Sequence, residues 1–511
     1  MRTAIIGGGI AGLAAAYELE KARAAGAPVE YTLFESNRKL GGVLASEIVN
    51  GAVLERGPDS FLTEKPAAAE LCRELGLAAD LVPSNDAARR TCIVVKNKLV
   101  PLPDGLMFLV PTKLIPTAMT RLFSLPTKLR MGLELFHPPR ASGEEDEAVA
   151  TLVERHFGRE AVDRLADPLL SGIYGGDSTQ LSARAVLPRL VEMESEFGSL
   201  TRGMLAAHRK MRATAKEAAR SNGASNGNGN AQPAPRPIFT TLRGGMQQLV
   251  VAIQATLNPA WVRLETPVSA LKRLADGWLV EAGVEAGVKA GVKARGVETG
   301  VETGVEENYD SVIVSSPAWA AGVLLAPVDA TLGEDLAAIP YSSSITVNLL
   351  YNEAALGALP DGFGFLVPAS ESRAMLACTF MHRKFLGRTP PGKAVLRAFL
   401  GGMKNEALLA EPDDVLLAIV RRELNEILGI QAEPEHTQVS RWRRAMAQYT
   451  VGHQARTKRI TEHVAAHPGL KLAGNAYDGI GISDCIRLGR QAAKEILASQ
   501  KVSESTSQPA R

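Results

Sequence analysis

Gly7-Gly8-Gly9-Ile10-Ala11-Gly12 is a G-x-G-x-x-G segment, and Glu35 follows 23 residues after its last glycine. Gly7 permits a tight turn, Gly9 lets backbone approach a pyrophosphate, and Gly12 allows close packing of helix on strand. The helix that follows points its free N–H groups at the phosphates. A carboxylate at the end of the next strand is placed to accept ribose hydroxyls, which marks an adenine dinucleotide site. The structural alternative is a chance glycine turn beside a surface glutamate.

Further glycine turns extend the site. Gly41-Gly42 follows Glu35 closely, and Glu55-Arg56-Gly57-Pro58-Asp59-Ser60 comes next. Turns that expose backbone just after the ribose acid suit a large cofactor laid across the domain. Near the C-terminus, Leu470–Leu472 reads as a strand, and Gly479-Ile480-Gly481 precedes a helix from about Asp484 to Leu497. A second helix N-terminus fed by a glycine turn can stabilise negative charge on a reduced flavin. First and last segments sharing one site is a pattern of flavin enzymes more than of NAD dehydrogenases.

The elements that must position these residues follow from local patterns. Residues 2–6 are a short apolar run, 10–19 are rich in alanine and leucine, and 31–34 are β-rich. Strand, turn, helix and strand make a βαβ unit, the start of a parallel sheet. The fold expected is α/β with α+β elements. Its FAD-binding domain is Rossmann-like and built from 1–90, 236–325 and 441–498, with a substrate-binding domain at 326–440. A helical subdomain is expected at 91–220. Residues 111–131 of it carry Lys113, Arg121, Lys128 and Arg130 with no acid, among apolar and proline-rich text. That stretch reads either as plain packing or as a surface resting on anionic lipid. Residues 221–235 read as a flexible linker and 283–305, with a four-residue repeat, as an expanded hairpin loop. The tail at 499–511 reads as disordered.

Composition excludes several classes. The chain has 511 residues, 46% hydrophobic and 22% charged, with a net charge of +2. That suits a multi-domain globular protein and not a dedicated nucleic-acid binder. Cys72, Cys92, Cys378 and Cys485 lie far apart, so neither a zinc cluster nor a disulfide framework is expected and no metal site is assigned. The chain is expected to be cytoplasmic, resting peripherally on the inner face of the membrane if the basic stretch meets lipid. No nucleophile, serine–histidine–acid order or carboxylate pair marks hydrolysis. No side chain is assigned a catalytic role, because a flavin carries its own chemistry.

The motifs together resemble the oxygen-dependent, FAD-containing porphyrinogen oxidases of haem synthesis, within the flavin amine oxidase superfamily. The carriers are Gly7–Gly12 with Glu35 and Gly41-Gly42, then ERGPDSFL at 55–62 and PLLSGIYGGD at 168–177. TLRGGMQQLV at 241–250, RWRRAMAQYTVGH at 441–453 and GNAYDGIGISDCI at 474–486 follow in order. The resemblance implies FAD contacts at Gly7, Gly8, Gly9, Ile10, Ala11 and Gly12, and at Glu35, Ser36 and Val43. It implies others at Gly57, Pro58, Asp59 and Ser60, at Val268 beside the adenine, at Trp442 near the flavin, and at Gly479, Ile480 and Gly481. Lys39 and Val43 depart from the residues usual in the family, Arg38 being the neighbouring cation that compensates.

For the substrate, the resemblance implies oxidation of coproporphyrinogen III to coproporphyrin III, six electrons in three flavin cycles, with O2 as acceptor and H2O2 released. Protoporphyrinogen IX is the alternative. Other rivals are an amine- or polyene-oxidising relative, or a flavin-bound scaffold for haem-pathway partner enzymes. A tetrapyrrole needs apolar walls and a few cations for its propionates. Lys65 matches a propionate-binding position of soluble members, and Gly172 and Gly175 lie in a loop that a bulky ring can approach. Arg89 and Arg90 are weaker propionate candidates.

Overall fold

The first strand, β1 (Arg2–Ile6), is buried over its last four residues, and β2 (Glu30–Phe34) pairs with it in parallel. Helix α1 (Ile10–Ala24) joins them, as the alanine-rich text requires. Such continuous apolar runs are what a parallel sheet covered on both faces demands. The sheet is five-stranded, in the order Val262–Arg263, β2, β1, Ser311–Val314 and Leu470–Leu472. Every pairing in it is parallel. The parallel sheet expected of a Rossmann-like domain is therefore assembled from strands that lie hundreds of residues apart. This computed structural model describes residues 1–107, 109–139, 145–221, 237–283 and 305–506.

A second sheet has seven strands, in the order His436–Ala447, Tyr341–Asn352, Lys393–Gly401, Met375–Phe380, Gly364–Leu366, Thr91–Val95 and Lys98–Pro101. Two expected boundaries differ from this. Thr91–Val95 and Lys98–Pro101, grouped with the helical segment by sequence, form one edge of the sheet, through parallel pairing of 91–93 with 364–366. The strand His436–Ala447 runs through the boundary expected at 440 and pairs with Tyr341–Leu350 along its length. Tertiary pairing decided both, against a local text that changes elsewhere.

Helices α3 (Leu114–Met119), α4 (Leu125–Leu133) and α5 (Val149–Phe157) belong to the helical layer. Leu122, Phe123, Met131, Leu152 and Phe157 share its buried core. Its outer face is apolar and bare: Ile115, Met119, Leu125, Leu129, Leu133 and Phe136 are 62–80% exposed. Among the described residues, no helix is long and apolar enough to cross a membrane.

The C-terminal helix spans Ile482–Thr506, so residues 499–506, expected in a disordered tail, continue a helix. The glycine- and asparagine-rich linker (222–236) and the tetrapeptide repeat (284–304) lie outside the described residues. The repeat's flanks do not: Gly277–Ala282 and Val305–Tyr309 are an antiparallel pair with Ala282 opposite Val305.

Candidate functional site

The glycine loop sits at the carboxyl end of β1, where parallel sheets receive ligands. Gly7 has φ 107°, a conformation that side chains resist. A Cβ on Gly12 would lie 2.0 Å from the Gly7 carbonyl oxygen, so α1 reaches the turn only because residue 12 has none. Gly9 caps α1, and a Cβ built there meets nothing within 4 Å. The result is an open cradle in front of the first N–H groups of a helix, which suits a pyrophosphate. Ile10 and Ala11 are buried behind it. Gly41 braces the loop, its N–H donating to the Gly8 carbonyl at 2.8 Å.

Glu35 stands beside the loop, nearly buried. Its Oε2 accepts from the Gly8 N–H at 2.7 Å. Its Oε1 accepts from the Asn37 N–H at 2.8 Å and from the Asn37 side chain at 2.6 Å, with Ser36 Oγ at 3.3 Å. The Thr266 N–H donates to the Glu35 carbonyl at 2.9 Å, which brings the start of the strand Val268–Leu274 close to the acid. Arg38 pairs with Glu265 at 2.8 Å in the same turn. Val43 meets the next motif: a Cβ on Gly57 would fall 1.8 Å from its carbonyl oxygen.

Residues 55–60 lace the cofactor domain to the seven-stranded sheet. The Arg56 carbonyl accepts from Trp442 Nε1 at 2.8 Å and Thr346 Oγ1 at 2.7 Å. Asn348 donates to the Glu55 carbonyl at 2.9 Å, and Arg397 to that of Gly57. Pro58 leads to Asp59, whose carboxylate meets Lys384 Nζ at 3.0 Å, Arg397 at 3.4 Å and Ser60 Oγ at 2.6 Å. Burial alone would raise the Asp59 pKa, but Lys384 and Arg397 outweigh it and hold the carboxyl far below its ordinary range. Glu55, paired with Arg388, is instead pushed upward by burial.

The second glycine turn closes the other end. Gly479 has φ 97°, and its N–H donates to the Tyr449 hydroxyl at 2.9 Å, which in turn donates to the Asn475 carbonyl at 2.9 Å. Ile480 leads to Gly481, whose N–H donates to Asp484 Oδ2 at 3.2 Å in the first turn of the C-terminal helix. That helix lies against α1. A Cβ on Gly489 would fall 2.0 Å from the Ala11 carbonyl oxygen, while Arg490 meets Glu18 at 2.8 Å. Both helices advance in the same sense through these contacts. The C-terminal helix begins seven residues before Gly489, so its N-terminus extends about 10 Å beyond that contact at 1.5 Å per residue. Two helix N-termini therefore point the same way, and a helix N-terminus favours negative charge.

Lys65, at the start of α2 (Pro66–Glu74), reaches this second turn: its Nζ lies 2.9 and 2.7 Å from the two Asp484 oxygens. Ser483 Oγ donates to the Lys65 carbonyl at 3.0 Å. The loop expected at 171–176 is instead the end of the helix Asp167–Tyr174, with Gly172 inside it, and Tyr174 at its last turn approaches the same place. Burial and the Asp484 carboxylate push the Tyr174 phenol up to about 12. Gly175 ends its helix in the left-handed region, and its carbonyl accepts from the Met403 N–H at 2.9 Å. Gly172 is exposed, with Leu366 3.1 Å from a Cβ built on it. Arg89 and Arg90 are exposed, Arg89 lying 3.8 Å from Asp86. No described contact brings these two arginines to either glycine turn.

Sequence reasoning missed Asp484, Tyr174, Lys384 and Arg397. The first two stand inside GNAYDGIGISDCI and PLLSGIYGGD, so the motifs carried the signal. Lys384 and Arg397 lie in no motif, and only the fold brings them to Asp59.

A family model described as flavin containing amine oxidoreductase matches residues 10–497. The coproporphyrinogen III oxidase of Bacillus subtilis (strain 168) is 34% identical over 498 residues, covering 96% of this chain and 97% of that protein. The human protoporphyrinogen oxidase is 31% identical over 516 residues, covering 97% of this chain and 98% of that protein. A crystal structure from Exiguobacterium sp. 255-15 has a TM-score of 0.80 at 31% identity, covering 98% of this chain and 99% of that one.

Proposed function

The chain belongs to the flavin containing amine oxidoreductase family, and on that premise we propose that it oxidises a porphyrinogen to the porphyrin, with coproporphyrinogen III preferred and O2 the acceptor. It is an FAD-dependent oxidoreductase. The observation that carries the proposal is the packing of α1 on the C-terminal helix, which sets the glycine loop and the Gly479–Gly481 turn at the same end of the two helices, with Lys65 paired to Asp484 beside the second turn.

The residues present fit FAD. The cradle at Gly9 is open where a pyrophosphate must come, and Gly8, Ile10, Ala11 and Gly12 supply the turn and helix N-terminus around it. Glu35 and Ser36 take the ribose, with Val268 beside the adenine. Val43, Gly57, Pro58, Asp59, Ser60 and Trp442 line the middle, and Gly479, Ile480 and Gly481 hold the ring end. FAD when bound supplies the electron acceptance, in three two-electron rounds for the six electrons removed.

The protein's own part is to bind, orient and neutralise. Two of the three Lys65 ammonium protons go to Asp484, which leaves one for a propionate. Exposed Gly172 lets the macrocycle approach backbone, whereas Gly175, expected to share in this, is buried. The ion pairs at Asp59 fix the motif against the substrate sheet, so cofactor and substrate walls move as one. Coproporphyrinogen III ranks first because the more similar of the two named relatives acts on it. Protoporphyrinogen IX is the second reading. Comparing turnover of the two substrates by flavin-loaded protein tests the proposal.

The exposed apolar face of α3 and α4, with Lys113, Arg121 and Lys128, supports peripheral contact with the inner face of an anionic membrane from the cytoplasm. Arg130, expected to share in it, instead donates to the carbonyls of Glu154 and Arg155.

A further inference from the structure

The helical layer holds a titratable cluster that porphyrinogen oxidation does not use. His156 on α5 is buried, with Nδ1 2.9 Å from Glu134 Oε1 and Nε2 3.1 Å from Glu194 Oε1. The His137 ring tilts over it, with centroids 4.3 Å apart. One donor atom from each of His137, His156 and Glu194 lies within 4.8 Å of the others. We propose that these three residues form a structural site for a zinc-class divalent transition ion, with Glu134 orienting His156 from behind.

Four observations support it. Two imidazoles and a carboxylate suit zinc and its neighbours, whereas calcium and magnesium take oxygen ligands. The 3.1 Å between His156 Nε2 and Glu194 Oε1 is near the edge of a zinc tetrahedron, about 3.3 Å for metal–ligand bonds of about 2.0 Å. Donation from His156 Nδ1–H to Glu134 would fix the tautomer that turns the Nε2 lone pair toward the ion, as outer carboxylates do at zinc sites. Glu134 is itself held by Ser199 Oγ at 2.9 Å and by the Leu200 N–H at 2.6 Å. His137 has the same arrangement, its Nδ1 lying 3.2 Å from the Pro138 carbonyl and its Nε2 left for the ion.

Arg155 lies beside the cluster, meeting Glu194 at 2.7 Å and Glu147 at 2.6 Å. Arg202 is peripheral, donating to the His137 carbonyl at 2.9 Å. The ligands come from the turn after α4, from α5 and from the helix Pro188–Phe197, so a bound ion would fasten the turn carrying exposed Phe136 to the bundle.

The test is titration of the full-length, flavin-loaded protein with zinc sulfate against a chromophoric chelator, with thermal unfolding recorded in parallel. The expected result is one zinc per chain and a raised unfolding temperature, with no response to magnesium. His137→Ala, at a half-buried position, should unfold like wild type without zinc and bind zinc at least about tenfold more weakly. His463→Ala should leave binding unchanged, although it breaks the other described His–carboxylate cluster, where His463 and His467 share Asp329 at 2.8 and 3.1 Å. Absence of stoichiometric zinc overturns the proposal. So does unaltered binding in His137→Ala, or loss of binding in His463→Ala.

Discussion

Lys65 and Asp484 form an ion pair across 419 residues of sequence, Nζ lying 2.7 and 2.9 Å from the two carboxylate oxygens. The lysine is about two-fifths exposed and the aspartate nearly buried. The pair joins the first turn of α2 to the first turn of the C-terminal helix, where Asp484 also accepts from the Gly481 N–H. A cation placed there supports the turn, and under the function proposed above it would also donate to an incoming propionate.

Lys65→Ala should therefore lower kcat/KM for coproporphyrinogen III by roughly 10- to 150-fold, the loss of a hydrogen bond to a charged group, and mainly through KM. Protoporphyrinogen IX, with two propionates fewer, should lose less. Steady-state kinetics on both substrates at matched FAD occupancy gives the answer. A change below about twofold for both, or an equal loss in Asp484→Asn with Lys65 intact, makes the lysine a support for the turn only.

Gly9→Val and Gly12→Val should fail in different ways. At Gly9 a side chain meets open space in the ligand-free fold, so the variant should fold normally and purify with little FAD. At Gly12 a Cβ strikes the Gly7 carbonyl at 2.0 Å, so that variant should be unstable. Absorbance of the purified proteins and circular dichroism separate the two. Full FAD content in folded Gly9→Val would remove the glycine loop from the cofactor site.

Legibility followed locality. Gly7–Gly12, β1, α1 and β2 could be read because a βαβ unit is contiguous and its glycines are set by the tight turn and by close packing within it. The Gly479–Gly481 turn was legible for the same reason. Thr91–Val95 was misgrouped because its partner, Gly364–Leu366, stands some 270 residues away, and nothing local distinguishes an edge strand of one domain from the approach to another. The charged, alanine-containing end of the chain reads as a tail, yet the helix continues to Thr506. Asp484 was visible as a motif residue, but its pairing with Lys65 exists only in the fold.

The exposed stripe of Ile115, Met119, Leu125, Leu129, Leu133 and Phe136 should give salt-sensitive adsorption to anionic vesicles. Each cation near such a surface adds about 1 kcal/mol, screened over roughly 8 Å at physiological salt. Leu129→Glu with Phe136→Glu should abolish sedimentation with phosphatidylserine vesicles and leave turnover in detergent unchanged. Equal binding to neutral and anionic vesicles, or none to either, leaves the helical layer as packing alone.

Replacing residues 283–304 by Asn-Gly should preserve activity, because Ala282 and Val305 are already opposite each other and a two-residue turn suffices to join them. Deleting 223–234 should be tolerated for the same energetic reason: loop closure changes by only about 0.6 kcal/mol per doubling of length. Loss of turnover in a folded, flavin-loaded deletion would assign these segments a role.

His453 sets an acid limit. It is buried against Tyr449, with ring centroids 3.9 Å apart, and burial pushes its imidazole down to about 4. Arg456 acts in the same direction, while the Tyr477 backbone and Asp146 oppose it. The unfolded chain protonates near 6.5 and the folded one near 4, so stability is full above 6.5 and falls as pH drops between them. The loss is roughly 3 kcal/mol at about 1.4 per pH unit. Relative to wild type, His453→Phe should gain thermal stability as pH falls from 6.5 to 4.5. Parallel melting curves for the two proteins across that range would contradict the assignment.

The central claim is best tested by porphyrin fluorescence with simultaneous peroxide detection, after adding coproporphyrinogen III or protoporphyrinogen IX to the flavin-loaded protein in air. Coproporphyrin III should form with three H2O2 released per porphyrin, faster than protoporphyrinogen IX is oxidised. No porphyrin and no peroxide above the autoxidation rate from either substrate, with FAD bound, would contradict it.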